Sequence, residues 1–101
     1  MNPAKVIRER VSTLTDLPNI GKAMQADLNL LGIARPQDLI GRCPYEMYEE
    51  LCDITGANHD PCVIDVFISV ASFINGGEAR PWWKFTAERK RALAKKSNRS
   101  L

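Results

Sequence analysis

The feature that most limits what this chain can fold into is a sharp corner at Leu17-Pro18-Asn19-Ile20-Gly21. Pro18 has no amide hydrogen and stops the segment before it, while Asn19 is the non-glycine residue that best tolerates a left-handed backbone. Ahead of the corner, Thr13 suits the N-cap of a very short helix through Leu17, with Leu14 and Leu17 three apart so that both face inward. Behind it, Ile20, Ala23, Met24, Leu28 and Leu31 recur at helical spacings of three and four until Gly32 supplies a left-handed stop. Two helical segments must therefore meet at a tight turn.

The same punctuation continues along the chain. Pro36 opens a brief connecting helix through Leu39 and Ile40 that Gly41 closes. Pro44 starts a segment with Tyr45, Tyr48, Leu51, Cys52 and Thr55 on an inward stripe and Glu46, Glu49, Glu50 and Asp53 in water, ended by Gly56. Asp60 and Pro61 suit the N-cap and first residue of a helix through Asn75, whose line Val63, Phe67, Val70, Ile74 marks the centre of the core. Its β-branched residues are tolerated because burial outweighs propensity. Gly76-Gly77 breaks it, and an aromatic run, Trp82-Trp83-Lys84-Phe85, precedes a basic end.

These signals predict an all-α fold: a compact bundle of about five short helices with a basic C-terminal extension. Residues 1–12 read as an arm containing a marginal helix from Pro3 to Arg10, residues 13–85 as the domain, and residues 86–101 as a tail whose last residues fray. Helix, glycine turn and helix over Leu14 to Leu31 are echoed over Pro44 to Asn75, which suggests a doubled hairpin linked by Pro36 to Ile40.

Charge separates the parts. Residues 12–79 hold ten acids against Lys22, Arg35 and Arg42, a net −7, whereas residues 80–101 hold eight bases against Glu88, a net +7. The longest apolar region, Val63 to Ile74, is interrupted by Asp65, Ser69 and Ser72 and does not span a membrane. Three cysteines and a charged N-terminal stretch point to reduced thiols and a cytoplasmic setting.

The run Leu14-x-x-Leu17-Pro18-Asn19-Ile20-Gly21-x-x-Met24-x-x-x-Leu28 resembles the helix-hairpin-helix signature. That resemblance implies a turn that presents backbone amides to a DNA phosphate. The physics is general: unpaired amides and the positive dipole end at a helix start attract an anion, and glycine permits close approach. Lys22 adds a full charge. Asn19 stands where that family most often has its first glycine, and its side chain is expected to crowd a phosphate. The same turn also serves as a plain packing corner.

A wider set of residues carries a second resemblance. Leu30-Leu31-Gly32-Ile33, Pro36-x-Asp38-Leu39, Tyr48-x-x-Leu51-Cys52-x-x-Thr55-Gly56, His59-Asp60-Pro61-Cys62-Val63-x-Asp65-Val66-Phe67 and Trp82-Trp83-x-Phe85 follow the corner. Together they resemble a small bacterial family named for a clostridial pathogenicity locus, whose members are labelled helix-hairpin-helix or mitomycin resistance proteins. The first half is also similar to the C-terminal domain of TfoX-type competence regulators. Neither resemblance implies a defined reaction.

Other chemistry is sparse. His59 and Cys62 form one closely spaced pair, whereas zinc motifs carry two, so His59 and Asp60 read as helix-capping residues and the cysteines as small apolar groups. With one histidine and no strained nucleophile turn, no catalytic residues are assigned and no metal, cofactor or small-molecule substrate is expected. Trp82 and Trp83 beside Arg80 and Lys84 either stack on unpaired bases or fold back over the core.

The leading expectation is a non-catalytic DNA-binding protein that contacts phosphates through Asn19, Ile20, Gly21, Lys22, Arg80, Lys84, Arg89, Lys90 and Arg91, without sequence readout. The rival is an interaction adaptor whose helical body binds a protein partner or a second copy, with no nucleic acid involved.

Overall fold

The computed structural model describes the backbone of residues 8–99 and the side chains of residues 8–95. Most of the expected Pro3 to Arg10 helix, and the terminal Ser100 and Leu101 expected to fray, lie outside them. Among the described residues there are four α-helices, α1 (Lys22–Leu30), α2 (Pro44–Thr55), α3 (Cys62–Ile74) and α4 (Thr86–Arg99), and no strand; short 3-10 turns precede α1, α2 and α4, and a loop joins α2 to α3.

Helix α3 is the central strut. Ile64, Phe67, Ile68, Val70, Ala71 and Phe73 are all buried, so the helix is covered on most sides, as its nearly continuous apolar run requires. Helix α2 lies against it through Met47 and Leu51, both fully buried, while Glu46, Glu49, Glu50 and Asp53 stay exposed. The inward stripe expected on α2 omitted Met47, and its last member, Thr55, proves exposed. Leu14, Leu17, Ile20, Leu28, Leu31, Ile33 and Leu39 complete the same core.

The doubling differs from the expected one. The 3-10 turn Leu14–Asp16 leads through a left-handed residue, Asn19 (φ 67°), to α1; the 3-10 turn Pro36–Leu39 leads through Gly41 (φ 80°) to α2. In each, the aspartate at the third position of the turn reaches back to two backbone amides. Asp16 accepts from Ser12 (3.0 Å) and Thr13 (2.9 Å), and Asp38 accepts from Ala34 (3.0 Å) and Arg35 (3.1 Å). Pro36 to Leu39 is therefore the first arm of a second corner rather than a linker, and the repeated unit is turn, left-handed corner and helix. Two amide donors stabilise each anion, which holds both carboxyls below the ordinary aspartate range.

The ends are tied down. Arg8 donates to the carbonyl of Phe73 and, at 2.5 Å, to that of Gly77, and its guanidinium lies 4.1 Å from the Phe73 ring centroid. A cation thus closes the negative end of α3. Gly77 itself must be glycine, because its amide bonds the Ser72 carbonyl at 2.8 Å and a Cβ there would collide with Ser72.

The segment from Thr86 is not a loose tail. It continues as α4 and is anchored by Arg89, whose Nε donates to Asp65 Oδ1 at 2.8 Å with both side chains buried. Thr86 adds a hydroxyl donor to Asp65 Oδ2 at 2.6 Å. A carboxylate buried in the first turn of α3 demands a partner, and Arg89 supplies the cation.

Candidate nucleic-acid interface

The first corner is built from its backbone outward. Pro18 and Ile20 are buried and fix its inner side, while Gly21, the N-cap of α1, and Lys22, its first residue, are exposed. No side chain caps α1, no acid stands in its first turn, and a Cβ on Gly21 would meet nothing within 4 Å. Unpaired amides, a positive helix end and open space are what an anion needs.

Asn19 faces the other way. Its amide nitrogen donates to the Arg80 carbonyl at 2.7 Å and to Ser69 Oγ at 3.1 Å. The side chain expected to crowd a phosphate is thus spent inside the protein, where it staples the corner to α3 and to the segment entering the tryptophans. That bond ties the corner preceding the exposed Lys22 to the chain at Arg80, a few residues before the exposed Trp83 and Lys84. Arg80 also meets the exposed Glu78 at 3.5 Å, a solvent-screened pair.

For three of the nine residues expected to touch phosphate, the side chain is turned away from solvent, which leaves the backbone contacts expected of Asn19 and Ile20 untouched. Asn19 directs its side chain inward, Ile20 is fully buried in the core, and Arg89 is consumed by Asp65. Asp65 also raises the affinity of the Arg89 guanidinium for its proton. Gly21 and Lys22 stand exposed at the corner, Arg80 and Lys84 are exposed on the segment whose Arg80 carbonyl Asn19 binds, and Lys90, Arg91 and Lys95 are exposed on α4. Among the described residues no hydrogen bond joins α4 to the corner directly.

The second corner shows the alternative use of the same turn. There Cys43 is the N-cap, Pro44 removes an amide at the first helical position, Glu46 places a negative charge in the first turn, and Arg42 is engaged by Glu50 at 3.1 Å and by the Leu31 carbonyl at 3.4 Å. An anion has nothing to gain there.

The turn between α2 and α3 serves packing. Tyr48 donates to the His59 carbonyl, the His59 ring meets Thr55 Oγ1 at 2.8 Å, and Asp60 accepts the Cys62 amide at 2.9 Å. Its hydrogen bond to the Asp60 carboxylate pushes the Cys62 thiol above its usual range, the opposite of an activated nucleophile. Among the described residues no three His, Cys, Asp or Glu side chains could hold a metal. Nor is any described helix long and apolar enough to cross a membrane. Beside this turn, α2, α3 and α4 enclose an open-sided cleft of about 490 Å³ lined by Tyr45, Tyr48, Ile64, Leu93 and Lys95 among others.

The family comparison covers nearly the whole described chain. Residues 7–91 match the Pathogenicity locus (Cdd1) family, and the chain belongs to it. It is similar to the mitomycin resistance protein McrB of Streptomyces lavendulae, at 40% identity over 83 residues, covering 82% of this chain and 79% of that protein. No solved structure matches it.

Proposed function

We propose that this chain is a non-catalytic, cytoplasmic helix-hairpin-helix protein that binds DNA through backbone phosphates without reading sequence. The observation that carries the proposal is the contrast at the α1 corner: an uncapped, acid-free helix start opened by Gly21 and Lys22, stapled by Asn19 to the strand of chain bearing Arg80 and Lys84. A phosphate seated on the Gly21 to Ala23 amides gains both the helix dipole and the Lys22 charge. Salt screens the acidic body's repulsion of a polyanion beyond about 8 Å at physiological ionic strength, so contact falls to a local basic surface. Lys90, Arg91 and Lys95 add a second, weaker patch.

Retention of duplex and single-stranded DNA at low and physiological salt tests the reading. Lys22→Glu and Gly21→Glu should both weaken binding, and Lys22→Glu should lower the dependence of log K on log salt by about one contact. Lys90→Glu with Arg91→Glu should weaken it less. Unchanged retention in all of these variants refutes the proposal. Cutting the chain after Lys84 is a poor test, because it removes Arg89 and leaves Asp65 buried without its cation.

The cleft favours a second reading. Its volume of about 490 Å³ lies in the range of small-molecule sites, its walls are mainly apolar, and the relative's name speaks of resistance to mitomycin. Holding that compound in the cleft is the corresponding proposal. Saturable retention of mitomycin in equilibrium dialysis against the chain, abolished by Ala92→Trp, supports it; no retention above a protein-free control refutes it.

A further inference from the structure

Trp82 and Trp83 are adjacent but differently placed: Trp82 is half-buried, whereas Trp83 keeps 58% of its surface exposed. Their rings meet edge to face at 85°, with centroids 5.7 Å apart. Pro81 (φ −59°) enters the 3-10 turn Trp82–Phe85, which runs straight into α4, so the exposed indole stands on a braced backbone with a second indole at its side. The exposed part of the Trp83 ring is apolar surface that a stacked ligand can cover. A platform already held in place also loses little entropy when it binds.

The surroundings say what the ligand is. Lys84 follows directly and is exposed, Arg80 lies three residues before, and the Asn19 bond to the Arg80 carbonyl joins this segment to the Gly21 and Lys22 corner. An exposed aromatic face flanked by cations is the composition that binds single strands, in which each unpaired base offers a π-face and the backbone offers charge. A duplex hides its base faces in its own stack and would leave Trp83 bare.

We propose that Trp83 is a stacking platform for an unpaired base, making single-stranded nucleic acid the preferred ligand of this surface. The inference rests on the phosphate-binding reading above and adds strand type to it. Trp82 acts as the buttress that orients the platform, and Arg80 and Lys84 hold the phosphates on either side of the stacked base.

The chain contains two tryptophans, so intrinsic fluorescence reports the platform directly. Titration of the full chain with a twenty-nucleotide oligothymidine should quench its emission, and a duplex of equal length should quench it far less. Trp83→Ala should lose about tenfold to a hundredfold in affinity for the oligothymidine, followed by anisotropy of labelled DNA, while duplex affinity stays within about twofold. Trp83→Tyr should recover most of the loss, and circular dichroism should show both variants folded, as expected for an exposed side chain. Oligothymidine affinity unchanged in Trp83→Ala, or lost equally for both DNA forms, overturns the inference. In the first case the phosphate reading survives if Gly21→Glu and Lys22→Glu still weaken binding; a wild-type chain that binds neither form sinks both.

Discussion

The molecule makes one turn twice and uses it in two ways. At both corners an aspartate in a 3-10 turn ties down two amides, a left-handed residue reverses the chain, and a helix begins. At the second corner the helix start is closed by Pro44 and Glu46, and Arg42 is occupied. At the first it is left open, with Gly21 bare and Lys22 exposed. The shared backbone is therefore a packing device, and on the proposed reading any capacity for an anion comes from what stands at the first helical positions. A turn motif alone says little about function; its capping residues say much more.

The contrast holds only if both corners sit on one rigid body, and Arg89→Ala attacks that body hardest. It strands the buried Asp65 carboxylate and should cost about 3–5 kcal/mol in urea unfolding. A loss below about 1 kcal/mol would mean that α4 is not anchored as described. Next in size, Asn19→Gly keeps the left-handed backbone but deletes two hydrogen bonds, for an expected loss of about 1–3 kcal/mol. Gly41→Asn at the matching position, where no such bonds exist to lose, should cost less than about 1 kcal/mol. Equal costs would erase the difference between the corners.

Acid titration probes what the corners share. Asp16 and Asp38 have folded pKa values below their unfolded ones, since amides donate to each anion. Their stabilisation is complete above the unfolded carboxylate pKa of about 3.9 and is lost as pH falls through the lower folded values. Asp16→Asn and Asp38→Asn should each flatten that acid limb in thermal melts, and by similar amounts. The smallest effect on the fold and the sharpest on binding is expected from charge reversal at the two helix starts: Lys22→Glu should reduce DNA retention, whereas Arg42→Glu should leave it unchanged. A reversed outcome would assign the open role to the wrong corner.

Much of this architecture was legible because proline and glycine mark it. Pro44 and Gly56 bound α2, and Gly32 and Gly41 take the left-handed conformations their positions require. The register of the repeat was not, since helical periodicity draws attention to the long helices α2 and α3, while the repeated unit is defined by the short turns and by Asp16 and Asp38. Arg89 looked like one more base between Glu88 and Lys90. The signal that could have singled it out lay 24 residues away, in Asp65: an acid inside the apolar run from Val63 to Ile74 needs a buried cation. Likewise the inward turn of Asn19 depends on Ser69 and Arg80, which are remote in sequence, so local chemistry described only its backbone.

Amide-resolved NMR during titration with a short oligonucleotide tests the central claim most directly. The largest shifts should fall on the backbone amides of Gly21, Lys22 and Ala23, with the matching amides of Cys43 and Tyr45, which flank the amide-free Pro44, unmoved. Shifts confined to α4, or equal at both corners, would contradict it.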